Sequence, residues 1–207
     1  MTSTKNRSPL LLKDLDNDPV KQFNTWFLEA EQAGIPLANA MTLATANREG
    51  HPSARIVLLR GNDEHGFVFH TNYESRKALD LQENPQATLL FYWPQLARQI
   101  RIEGRVEPLA VADSDRYFTG RPRGHQIGAH ASNQSRVIES RSFLEEQVRR
   151  VSDEYAEKDV PRPRHWGGYR LIPDMLEFWQ EGGDRLHDRL RYRRDAAEGW
   201  IIERLAP

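Results

Sequence analysis

Several segments of the chain combine residue types that could do chemistry. The richest is Asp184-Arg185-Leu186-His187-Asp188-Arg189-Leu190-Arg191-Tyr192. Read as part of a strand over residues 186–193, its period of two puts Arg185, His187, Arg189 and Arg191 on one face. Leu186, Leu190 and Tyr192 fall on the other. A row of cations repels itself unless an anion or acidic neighbours face it. The segment is therefore either an anion site with a titratable histidine or a solvated, charged edge strand. Ser75-Arg76-Lys77 is the second candidate. It opens a short helix, where free N–H groups and the positive dipole end favour a phosphate, although a solvated helix start has the same look. Arg116-Tyr117 with Gly120-Arg121-Pro122-Arg123-Gly124-His125-Gln126 could hold a phosphate on an Arg-rich turn. Gln134-Ser135-Arg136 is a polar loop before a helix.

Other chemistries are excluded. The chain has no Cys, so disulfides, iron–sulfur clusters, thiol catalysis and thiolate zinc sites are out. The seven His show no metal-ligand spacing, and the pair His125/His130 reads as two loop residues rather than ligands. We expect no metal. GxSxG, the P-loop and GxGxxG are all missing.

The elements that must position these residues are mostly strands. Asp18-Pro19 reads as an N-cap and first helical residue, with Val20, Phe23, Phe27 and Ala30 at helical spacing and Gly34 as a stop. Residues 1–17 read as a mobile arm, and 18–207 as a single domain. Strands are predicted at 40–46, 53–60, 66–71, 87–93 and 99–106, then at 168–172, 175–180, 186–193 and 200–204, with 61–66 as a loop. Helices are predicted at 75–82, 111–119 and 142–157. This rhythm predicts a mainly β (α+β) fold with peripheral helices, a closed or nearly closed antiparallel barrel.

Composition agrees. Lys plus Arg number 29 and Asp plus Glu 30, a balance that argues against nucleic-acid coating or polybasic membrane binding. No apolar run approaches the roughly 20 residues of a membrane span, and the N-terminus is not a signal peptide, so a soluble cytoplasmic protein is expected. Of the 29 basic residues, 24 are Arg. This suits forked binding of phosphate, and equally follows from genomic base composition.

Taken in order, these segments resemble the pyridoxamine/pyridoxine 5′-phosphate oxidase family over nearly the whole chain after Asp18. The matching pieces are Arg55-Ile56-Val57-Leu58-Leu59, Thr71-Asn72-Tyr73-Glu74-Ser75-Arg76-Lys77, Tyr117-Phe118 with Arg121-Pro122-Arg123, and Gln126-Ile127-Gly128-Ala129 through Gln134-Ser135. At the C-terminal end they are Trp166-Gly167-Gly168-Tyr169, Glu177-Phe178-Trp179-Gln180, Arg185-Leu186-His187-Asp188-Arg189 and Arg204-Leu205-Ala206-Pro207.

The resemblance implies an FMN-binding split β-barrel of antiparallel, Greek-key type that forms a homodimer with FMN at the interface. It implies O2-dependent oxidation of pyridoxine or pyridoxamine 5′-phosphate to pyridoxal 5′-phosphate, releasing H2O2. Carried over, Arg76 and Lys77 hold the FMN phosphate. Arg55, Ile56, Val57, Leu58, Leu59, Arg60, His70, Thr71, Gln99, Gln134, Ser135, Trp179 and Arg189 line the rest of the FMN site. Arg60, Tyr117, Arg121 and His125 hold the substrate phosphate, and Arg185 and His187 are the catalytic pair over the flavin. The chain departs from the family pattern on the substrate side. Arg60 replaces a usual Lys, His125 a Ser, His130 a Trp and Leu37 an acidic residue, and the Arg-x-x-Tyr element of the arm is not visible in residues 1–17. His70 stands where an aromatic is common. Two alternatives stay open: a related FMN oxidase acting on another ring, as in phenazine pathways, and a non-enzymatic flavin or pyridoxal-phosphate binding module.

Overall fold

The computed structural model describes residues 8–196 and 199–207. It opens with helix α1 (Pro19–Gln32), capped as predicted: the Asp18 carboxylate accepts from the Val20 and Lys21 N–H groups, and Pro19 takes the first turn. Gly34, at φ +67°, turns the chain away. Strands β1 (Ala40–Ala46), β2 (Pro52–Leu58), β3 (Gly61–Asp63) and β4 (Gly66–Asn72) follow, so the predicted 61–66 loop contains a short strand. After helix α2 (Arg76–Glu83) come β5 (Gln86–Trp93) and β6 (Arg98–Pro108). Three helices lie together next: α3 (Val111–Thr119), α4 (Arg123–Ala131) and α5 (Arg141–Glu154). The chain then returns as β7 (Trp166–Gln180), β8 (Asp188–Arg194) and β9 (Trp200–Arg204).

The nine strands among the described residues form one antiparallel sheet in the order β2-β1-β5-β6-β7-β4-β3, with β8 and β9 joined to the other end of β7. β7 is the spine. Its first half pairs with β4 (Phe67↔Leu171 to Asn72↔Trp166) and its second half with β8 (Met175↔Arg193 to Gln180↔Asp188), while β6 runs along its other edge. The sheet thus splits into two wings, which curl around a core of Leu43, Phe67, Phe69, Leu89, Phe91, Ile100, Ile102, Leu176 and Phe178. Helix α1 presses Phe23 and Trp26 into that core, edge-on to Phe67, Phe91 and Phe178. A smaller core of Phe118, Ile127, Val151, Val160 and Trp166 joins α3, α4 and α5 to the start of β7.

Several sequence-based expectations are corrected. Residues 168–172 and 175–180 are one continuous strand. The pairing steps from Glu103↔Met175 to Gly104↔Pro173, so Asp174 is bulged out and Pro173 is tolerated. His125 and His130 lie on helix α4, not in a loop. Residues 186–187 precede β8 rather than belonging to it. Of the predicted arm, residues 8–17 are docked: Leu10 N–H donates to Asp188 Oδ2 at 2.9 Å, and the Tyr192 hydroxyl donates to Asp16 O at 2.7 Å. Residues 1–7 of that arm lie outside the described residues.

Candidate active site

A cleft of about 1400 Å³ opens between β2, β4, the start of α2 and the α3–α4 helices. Arg55, Ile56, Val57, Leu58, Arg60, His70, Thr71, Arg76, Lys77, Tyr117, Arg121, His125, Gln134 and Ser135 all line it. Leu59 does not: its side chain is buried in the core. The apolar β2 residue Ile56 stands 66% exposed over the cleft, an open position for a hydrophobic side chain.

At one end, Ser75 caps α2 through its backbone, while its hydroxyl donates to Asn72 O. Ser75 and Lys77 are buried, and Lys77 Nζ reaches only neutral partners, Ser75 Oγ at 3.1 Å and Gln134 Oε1 at 2.8 Å. Burial, then the charge of Arg55, push the Lys77 ammonium down from 10.5 to about 8. Arg76 donates its backbone N–H to Ser135 Oγ at 3.3 Å. Ser135 turns at φ +72°, which brings its hydroxyl over the helix end. Arg55 donates to Leu43 O and Thr45 Oγ1 and stands 3.9 Å from Asp80.

A second group of cations surrounds an aromatic stack. The His70 ring lies on Tyr117 (centroids 3.8 Å apart, 12°) and faces Trp166 at 5.3 Å. The Arg121 guanidinium covers Trp166 at 4.4 Å, and Arg60 sits 5.9 Å from the Tyr117 ring. Both His70 nitrogens and Arg121 Nη1 are buried with no hydrogen-bond partner. Burial, then Arg60 and Arg121, push the His70 imidazole from 6.5 down to about 4, so the ring is neutral near pH 7. Gly168 makes room for it: a Cβ there would meet His70 Nε2 at 2.9 Å and Leu109 Cδ1 at 2.5 Å. Among the described residues, no acidic side chain comes within 4.0 Å of Arg60, Arg76, Lys77 or Arg121. Cations without counter-ions, beside orphaned buried donors, suit bound anions.

The remaining predicted residues, Gln99, Trp179, Arg185, His187 and Arg189, do not line the cleft. They gather at the other end of β7. Gln99, Trp179 and Arg189 are register partners in one row across β6, β7 and β8. The His187 ring lies 4.8 Å from that of Trp179. Arg185 and His187 were expected two apart on a strand; they sit instead in the turn that enters β8. Asp184 and Arg185 both adopt left-handed backbone (φ 52° and 63°), a strain of about 1–3 kcal/mol each. Gly182 is required there, because a Cβ would lie 2.0 Å from Leu186 O. Its N–H donates to His187 Nδ1 at 3.2 Å, which leaves the proton of a neutral ring on Nε2.

Arg116, part of the Arg-rich candidate segment, also lines the cleft, whereas sequence reasoning missed Trp166 as a lining residue. The Trp166-Gly167-Gly168 run was the available signal, since adjacent glycines mark a close approach. No group of three or more His, Cys, Asp or Glu able to hold a metal occurs among the described residues, and none of their helices is long and apolar enough to cross a membrane.

Comparison with known proteins bears on both ends of β7. Residues 27–155 match the family described as pyridoxamine 5′-phosphate oxidase, and residues 166–207 match the pyridoxine 5′-phosphate oxidase C-terminal dimerisation region. A pyridoxine/pyridoxamine 5′-phosphate oxidase of Burkholderia cenocepacia is 57% identical over 204 residues, 98% of this chain and 95% of that protein. Its counterpart in Burkholderia thailandensis is 56% identical over the same coverage. Among solved structures, PhzG from Burkholderia lata 383, in complex with tetrahydrophenazine-1-carboxylic acid, superposes with a TM-score of 0.91 at 32% identity, covering 98% of this chain and 100% of that one. A pyridoxamine 5′-phosphate oxidase-related, FMN-binding protein from Nostoc punctiforme shares the fold, with a TM-score of 0.74 at 18% identity, over 91% of this chain and 97% of its own.

Proposed function

The chain belongs to the pyridoxamine 5′-phosphate oxidase family, and from that premise we propose that it is an FMN-dependent oxidase of pyridoxine or pyridoxamine 5′-phosphate. The product is pyridoxal 5′-phosphate, the setting is cytoplasmic vitamin B6 biosynthesis or salvage, and the amine substrate also releases ammonia. One observation carries the reading: a single cleft holds two cation groups without acidic partners, Arg76/Lys77 and Arg60/Arg121. Two stations suit two phosphates, one on the cofactor and one on the substrate.

The residues fit FMN. Lys77, Arg76 and the first N–H groups of α2 would take its phosphate, supported by Gln134 and Ser135. Arg55, Thr71 and the backbone of residues 55–58 would flank the rest. FMN held there would supply the two-electron oxidation at substrate C4′, with O2 as the final acceptor and H2O2 as its reduced product. Arg60, Tyr117, Arg121 and His125 would hold the substrate phosphate and so fix C4′ in position. His187 Nε2–H would hydrogen-bond the C4′ oxygen or nitrogen and hold it in place while that atom's own proton leaves to water as the C4′ hydride departs, and Arg185 would orient the ring. Because the turn and row at the far end of β7 lie outside the cleft, we place them in the partner's site within a homodimer. The match of residues 166–207 to a dimerisation region supports this arrangement.

A second reading is an FMN oxidase acting on a fused aromatic acid. The TM-score of 0.91 to PhzG favours it, as do Arg60 and His125, which keep the pocket cationic while making it bulkier. An aerobic assay of the FMN-loaded protein with pyridoxine 5′-phosphate, following aldehyde formation, separates the readings. Turnover supports the first. Turnover of tetrahydrophenazine-1-carboxylic acid alone selects the second, and tight FMN binding without turnover of either leaves a binding module. A colourless protein unable to take up FMN overturns all three.

A further inference from the structure

The Arg189 guanidinium is held on two sides. Nε and Nη2 fork onto Glu177 Oε1 and Oε2 at 2.8 and 3.1 Å, and Nη1 donates to Ala206 O at 2.9 Å. This leaves only its outward N–H donors for any other partner. Glu177 is itself 3% exposed and lies on β7 between two arginines. Arg101 of β6 donates to Glu177 Oε2 at 2.7 Å, but it also has Glu103 at 3.1 Å. Arg189 has no other acid within reach among the described residues. Loss of the Glu177 charge would therefore leave Arg101 paired and Arg189 alone.

A buried ion pair is weak evidence of net stability over an apolar replacement, while a forked carboxylate does fix the orientation of its arginine. The geometry fixed here is the row Gln99–Trp179–Arg189, with His187 against Trp179. We propose that Glu177 is a positioning residue: its carboxylate aims the Arg189 guanidinium at the bound flavin and offsets part of its charge. This rests on the flavin reading above, and it adds a group that acts only through Arg189.

The test uses the full chain loaded with FMN, and compares Glu177→Gln and Glu177→Asp with the unsubstituted protein. FMN affinity is read by fluorescence titration and the midpoint potential of the bound flavin by spectroelectrochemistry. Glu177→Gln keeps the shape and removes a negative charge beside a ring that becomes more negative on reduction. Its potential should shift positive, with FMN bound several-fold more weakly. Glu177→Asp keeps the charge but is too short to fork, so affinity should fall while the potential stays near that of the unsubstituted protein. A lowered melting temperature with affinity and potential unchanged in both variants would make Glu177 a structural ion pair and overturn the proposal. If Glu177→Gln fails to fold, unchanged affinity in Glu177→Asp alone is enough to overturn it. If the unsubstituted protein takes up no FMN, the flavin reading fails first and this inference fails with it; normal uptake with unaffected variants removes the inference only.

Discussion

The cleft and the β8 wing are both rich in arginine, and three of the cleft's arginines are used in the opposite way to those of the wing. On the wing, Arg189 meets Glu177, Arg191 and Arg193 meet Glu203, and Arg204 meets Asp188. In the cleft, Arg60 and Arg121 lie against aromatic rings, and among the described residues neither they nor Arg76 has an acidic side chain within 4.0 Å. Residue type alone does not separate a lattice of ion pairs from an anion site; the counter-ion does. The paired arginines tie β7, β8 and β9 together. The unpaired ones keep a field that an incoming phosphate can use. Arg185 belongs to the cleft's class although it sits on the wing: it is exposed, strained and unpaired among the described residues.

The sharpest test of that division is Arg185→Ala. We expect substrate oxidation to slow by about 100-fold or more while FMN affinity stays unchanged, as measured by steady-state assay and flavin titration. A loss of FMN instead would move Arg185 to the cofactor. Arg76→Ala should weaken FMN binding by about 10–100-fold, the range of a charge-assisted contact to phosphate, and unaltered affinity would break the helix-end site.

A smaller effect separates the classes by pH. Because Lys77 is held near 8 rather than 10.5, its charge fades on the alkaline side, and FMN affinity should decline as pH rises past about 8. Lys77→Arg should flatten that decline. The sign reverses for the FMN-free protein: between about 8 and 10.5 the unfolded chain binds the extra proton, so stability should rise with pH in melts across that window. Smallest of all is Glu203→Gln on the wing, which should lower the melting temperature slightly and leave FMN affinity untouched.

Much of this was legible in the sequence. The Asp18-Pro19 helix start, β1, α3 and β9 fall on the predicted residues, because cap chemistry and periodicity are local signals. The Arg76/Lys77 cation pair was also readable from residue type at a helix start. Helix α4 was not. Its sequence holds Gly124 and Gly128, poor helix formers, and it stands because Ile127 packs beside Phe118 and Gln126 Nε2 donates to Phe118 O at 3.0 Å. The unity of β7 was hidden by Pro173, which only a bulge opposite Gly104 accommodates. Periodicity likewise ran Arg185 and His187 into a strand, whereas Gly182 and two left-handed residues bend them into a turn. These failures share a cause: the deciding contact comes from another element.

β7 starts in one region and ends in the other, with Trp166 under Arg121 and Trp179 beside His187. In the proposed dimer each chain then gives its cleft to one site and its turn to the other. A chain damaged at Arg76 and a chain damaged at Arg185 would spoil one site twice over and leave the second whole. In genetic terms, two defective alleles of this one gene would complement each other when expressed together, though neither would function alone.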